Sequence, residues 1–158
     1  MMRKLTTLSI VAVCLATGAC AQPEQAKVPF AATMSVHQFM TWFLEPSADL
    51  VWGSAGFIVT EEGEIDLQPT TQEGWDNVRN HASIVAEAGN LLMQPGYAAD
   101  AGDWTDYANG LVVAGQSARE AAIAKDADAL FEAGGAIYRV CRACHSRYII
   151  DAAGSPSE

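Results

Sequence analysis

Basic side chains are scarce in this sequence. Lys and Arg together number 9 against 19 Asp and Glu, which leaves a formal charge of -10 at pH 7. A surface of that sign repels phosphate backbones, so nucleic acid is excluded as a partner. Aromatic residues make up only 8%, and the four Trp and four Tyr are scattered, so no base-stacking platform is present either. Charged residues are few at 18% while half of the chain is hydrophobic, which excludes a disordered tail. At 158 residues the chain is too short for two ordinary domains, and one core is expected.

Long apolar runs are missing except at the start. Arg3 and Lys4 precede an apolar run from Leu5 to Ala16, followed by the small residues Gly18, Ala19 and Ala21. A bilayer span needs about 20 residues, so residues 1–21 read as an export signal. Cleavage after Ala21 gives a soluble protein. Cleavage before Cys20, in the lipobox-like context Gly18-Ala19-Cys20, gives a lipoprotein anchored at Cys20, although Thr17 stands where that pattern wants Leu. Residues 22–34, with Pro23 and Pro29 and little periodicity, read as a flexible tether. Removing the signal takes away Arg3 and Lys4 and no acid, so the exported chain is more acidic than its precursor.

Cysteine is equally sparse. Of four, Cys14 lies in the signal and Cys20 at its edge, which leaves Cys141 and Cys144 for the mature body and excludes a disulfide framework between elements.

The mature body reads as four helices. Ser35 and Gln38 have capping-box spacing, and Val36, Met40, Phe43, Ser47 and Leu50 recur on one face of a first helix that Pro46 kinks or splits. Gly53 to Gly56 ends it, and residues 57–67 suggest a small hairpin within a long connection. Thr70 with Glu73 caps a second helix whose core face is Trp75, Val78, Ala82, Val85, Gly89 and Leu92. Asp103 caps a third, with Trp104, Ala108, Leu111, Gly115, Ala118 and Ala122 inward. Asp126 or Asp128 opens the fourth, where Leu130, Gly134, Ile137, Cys141, Cys144 and Tyr148 repeat the spacing. The expected class is all-α, an antiparallel four-helix bundle spanning residues 35–150, with a tail at 151–158.

The chemistry sits in Cys141-Arg142-Ala143-Cys144-His145. Cys-x-x-Cys-His is a c-type haem attachment signal. Two thiols one helical turn apart face the same side and can bond to the two vinyl-derived arms on one edge of a porphyrin, and His145 then offers its imidazole to the iron. A thioredoxin-like dithiol is one competing reading, but it expects a βαβ setting. Structural zinc is another, and needs a fourth ligand from His37 or His81.

With a four-helix pattern, an attachment motif near the C-terminus and an aromatic, Tyr148, three residues past the histidine, the chain resembles the class II c-type cytochromes, which include cytochrome c′. The resemblance implies one haem c per chain, with Cys141 and Cys144 as attachment points and His145 as proximal iron ligand. It also implies that the first helix meets the opposite face of the iron, which makes Met40 the candidate sixth ligand. Met34 and Met93 are weaker candidates. No Arg stands in the first helix to hold a propionate, and Arg79, Arg142 and Arg147 are substitutes by charge only. Trp42 and Phe39 are candidates for an exposed homodimer face.

The expected function is electron transfer between redox partner proteins in the periplasm, without substrate turnover. Binding of a diatomic gas at an open sixth position is the alternative. A haem peroxidase is a third reading, for which the first helix offers only the off-centre His37 as acid-base group.

Overall fold

The computed structural model describes residues 29–153. The export signal with Cys14 and Cys20, residues 22–28 of the tether and residues 154–158 of the tail lie outside the described residues. Within them the chain is mostly helical: α1 (Val36–Phe39), a π-helical turn (Met40–Leu44), α2 (Glu45–Trp52), β1 (Phe57–Thr60), β2 (Gly63–Asp66), α3 (Gln72–Leu92), α4 (Asp103–Ala124) and α5 (Ala127–Ala153). Among the described residues no helix is long and apolar enough to cross a membrane.

The first helix begins where its capping box predicts. Ser35 Oγ accepts from the Gln38 N–H at 3.2 Å, and Gln38 Oε1 accepts from the Ser35 N–H at 3.0 Å. Pro46 neither splits nor ends it. Residues 36–52 run on as one helix, and the chain widens into the π turn just before the proline, with the Glu45 N–H donating to the Met40 carbonyl. Pro46 then falls in the first turn of α2, where a missing N–H is tolerated.

That turn corrects the expected inner face. The buried side chains are Phe39, Leu44, Ser47, Ala48 and Val51, whereas Val36 is exposed and Met40, Phe43 and Leu50 are half-buried. The step of five from Phe39 to Leu44 would break a pure α stripe, and the wider turn absorbs it. Of the two candidates for an exposed dimer face, Phe39 is 1% exposed and Trp42 65%.

The faces predicted for α3 and α4 are buried as written, and on α5 Leu130, Gly134 and Ile137 are buried while Cys141, Cys144 and Tyr148 are half-buried. Caps shift by small amounts. Thr71, not Thr70, caps α3 by accepting from the Gly74 N–H at 3.1 Å. Asp103 is the first residue of α4 and not its cap; the Asp100 carboxylate accepts from the N–H groups of Gly102 and Trp104 instead. On α5, Asp126 Oδ1 accepts from the Ala129 N–H at 2.9 Å.

α3 lies along α4 and α4 along α5, while α2 touches both α3 and α5. The α3–α4 contact is backbone-close, because a Cβ on Gly115 would lie 2.5 Å from the Ala86 nitrogen and one on Gly89 2.5 Å from the Ala108 carbonyl oxygen. The expected hairpin is present as an antiparallel pair joining Phe57 to Asp66 and Thr60 to Gly63. Phe57, Ile58, Val59 and Ile65 on it are all exposed, so it contributes little to the core.

Candidate functional site

The pentapeptide begins one turn beyond a firmly anchored stretch of α5. Leu130 and Ile137 are fully buried, and the same stripe then carries Cys141 and Cys144 to the edge of the core, both half-buried. Residue type and spacing therefore set a thiol pair on one side of one helix. His145 follows at an exposed position.

Two cavities meet at this stripe. One is lined by Cys141, Cys144 and His145 with Val140 from α5, Trp104, Tyr107, Ala108 and Leu111 from α4, Leu92 from α3, and Met40 and Leu44 from the π turn. The other, about 480 Å³, is lined by Cys141, Arg142, His145, Ser146 and Tyr138 from α5, and by Met40, Leu44, Glu45, Ala48 and Trp52 across from it. Met40, Leu44, Cys141 and His145 belong to both. The structure thus brings together all four residues singled out in the sequence, on two facing helices. Met34 and Met93 are half-buried against the core and line neither cavity.

Burial pushes the Cys141 thiol up to about 11, with the neighbouring Cys144 adding to the effect, and burial raises Cys144 as well. Both are free thiols. A disulfide oxidoreductase works through a thiolate stabilised at lowered pKa, the opposite direction to these shifts, and the βαβ setting of the thioredoxin-like reading does not occur among the described residues, whose two strands form an antiparallel hairpin. Nor do the cysteines converge with histidine or acid on a single point: among the described residues no three His, Cys, Asp or Glu side chains are grouped as ligands of one metal ion. His81 Nδ1 lies 3.3 Å from Ser47 Oγ, and His37 is exposed on α1; neither lines the two cavities.

Beyond the motif, Tyr148 ties α5 to the start of α4. Its hydroxyl donates to Asp100 Oδ2 at 2.5 Å, and its ring stands edge-on to Trp104 at 5.0 Å between centroids. Desolvation, followed by the hydrogen bond to Asp100, pushes Tyr148 up to about 12, while the same hydrogen bond is the main cause holding Asp100 below the usual carboxylate range. Arg147 Nε reaches Asp103 at 3.4 Å and Arg79 is bound to Asp76, so of the three arginines considered for propionates only Arg142 lines the larger cavity.

The helical spacing that puts Trp104 on a core face does not reveal two indole hydrogen bonds. Trp104 Nε1 donates to the Leu92 carbonyl at 2.7 Å, and Trp52 Nε1 to the Gly134 carbonyl at 2.8 Å. The Gly134-Gly135 pair was a legible signal for the second, since a Cβ on Gly134 would lie 3.2 Å from the Trp52 ring. Asp100 gave no such signal. No family model, curated protein or solved structure matches this chain.

Proposed function

We propose that this protein is a periplasmic c-type cytochrome, an antiparallel four-helix bundle that carries one haem c and passes electrons between redox partner proteins. The observation that carries the reading is that Cys141 and His145 share both cavities with Met40 of the facing helix. The donor set fits: two protonated thiols on one helical side for thioether formation, an imidazole beside them, and a thioether sulfur on the opposite wall, between apolar side chains of three further elements. When bound, haem supplies a reversible one-electron ferric/ferrous couple.

The chain's own residues do the rest. His145 presents a nitrogen ligand, and the sulfur of Met40 is a soft ligand that favours ferrous iron and a raised potential. Leu44, Leu92, Leu111 and Trp104 exclude water from the site, and Arg142 at the larger cavity is the cation placed to meet a propionate. Export by residues 1–21, with or without lipidation of Cys20, puts the thiols where haem is attached, and the exposed Trp42 offers a homodimer face.

A second reading is favoured by Leu44, which shares both cavities and is nearly fully buried. If Leu44 meets the iron face and Met40 only lines the pocket, the sixth position is open to nitric oxide or carbon monoxide. Peroxidase chemistry gains no support, because His37 lies outside both cavities.

The deciding experiment is the visible spectrum of protein expressed with the haem maturation machinery, together with haem staining of a denaturing gel. Stain retained on the chain and a six-coordinate low-spin spectrum are expected. A chain without covalent stain overturns the cytochrome reading, and a five-coordinate high-spin spectrum transfers it to gas binding.

A further inference from the structure

We infer that the π turn Met40–Leu44, imposed by Pro46 and by the Phe39 anchor, is the positioning element that holds the Met40 sulfur at the motif. The inference rests on the reading of Met40 as an iron ligand and adds to it the device that aims the side chain.

The phases make the argument. An α-helix turns 100° per residue, so Phe39 and Leu44, five apart, would stand about 140° from one another and could not both face one core. A turn closed from residue i to i+5 advances roughly 82° per residue, which brings the pair to about 50°. Both are in fact buried, at 1% and 5% exposure. Phe39 is fixed by ring contacts to Tyr97 at 5.0 Å and Phe43 at 5.1 Å, and Leu44 begins the stripe that continues through Ala48 and Val51. With these two ends committed, the residues between them have no freedom of phase.

Met40 is the first residue of the turn, and its carbonyl accepts the Glu45 N–H that closes it. In the observed register Met40 stands about 30° to one side of Leu44, and both line the two cavities; in a pure α register it would stand about 40° to the other side. That swing of about 70° is enough to carry a long side chain off a fixed point. Pro46 biases the choice. In an α register its ring clashes with the carbonyl of Trp42, four residues back, and leaves that carbonyl without a donor. The turn that widens ahead of the proline changes the register in which its ring meets the preceding carbonyls. Pro46 therefore acts as a positioning residue although it lines neither cavity.

The test is the Pro46→Ala holoprotein, in which the missing N–H is restored and the α register becomes available. The expected result is loss of the near-infrared methionine-to-iron band, a shift toward high spin, and carbon monoxide affinity raised at least about tenfold as the sixth position opens. A core truncation on α3 that lines neither cavity, Val78→Ala, keeps the wild-type band. If Pro46→Ala does not fold, Pro46→Ser, which restores the same N–H with a different side chain, is read in the same way. A folded variant that keeps the band and the wild-type carbon monoxide affinity overturns the inference alone. A wild type that lacks the methionine band overturns the ligand reading on which it stands, so the two failures are told apart by which protein lacks the signal.

Discussion

The indole of Trp52 closes the seam between α2 and α5 by donating to the Gly134 carbonyl, a bond made across 82 residues of sequence at 2.8 Å. The acceptor is unusual for a helix interior, and it is reachable because Gly134 has no Cβ to hold the ring away. Trp52 also lines the 480 Å³ cavity and a second hollow on its far side with Phe131 and Gly135, so the ring is the partition between them.

Trp52→Phe removes the donor while keeping most of the ring. Stability is expected to fall by about 1 kcal/mol, the net worth of one ordinary hydrogen bond, read as a lower denaturant midpoint with an unchanged slope. A midpoint equal to wild type would mean that the bond contributes nothing net.

Gly115→Ala should cost more. Its new methyl would overlap the Ala86 backbone, which cannot rotate aside, and overpacking of this kind costs about 1–3 kcal/mol. The expected signature is a lower melting temperature with α3 and α4 amides exchanging faster. Gly63→Ala, at a positive φ in open space, should also destabilise, but through backbone strain confined to the hairpin.

Tyr148 and Asp100 make stability depend on pH at both extremes. Tyr148 is raised from 10.0 to about 12, so its contribution is complete below pH 10 and lost as pH rises through 12. Asp100 is lowered from 3.8, so its contribution is present above that value and lost as pH falls through the depressed one. Tyr148→Phe should remove the alkaline loss between pH 10 and 12 and weaken the acid one, measured as melting temperature against pH. An unaltered alkaline limb would show that the hydroxyl is not the group responsible.

Met40→Leu keeps most of the apolar volume and removes the sulfur. The expected outcome is a high-spin or water-ligated haem, a lower reduction potential and binding of carbon monoxide, followed by absorption and redox titration. A variant indistinguishable from wild type would make Met40 a packing residue and bring Leu44 forward.

Much of this protein is written in local spacing. The inner faces of α3 and α4, the Leu130–Ile137 anchor of α5, the Ser35 box and the hairpin follow from 3.6-residue and two-residue periods, because each is a relation among neighbours on one element. The pentapeptide is legible for the same reason, since its thiols and imidazole belong to one helical turn. What the sequence could not determine is the phase of the first helix. Val36 and Phe39 exchanged places because a π turn, whose closure depends on Phe39 meeting Tyr97 and on Leu44 meeting the core, has no period of its own. The facing wall of the site was decided in the same way. Leu92, Trp104, Leu111 and Trp52 come from three different helices, and only the backbone-close packing of α3 on α4 and the Trp52 bridge to Gly134 set them around Cys141 and His145. Long-range contacts of this kind are fixed by the shapes of whole faces, which no window of neighbouring residues contains.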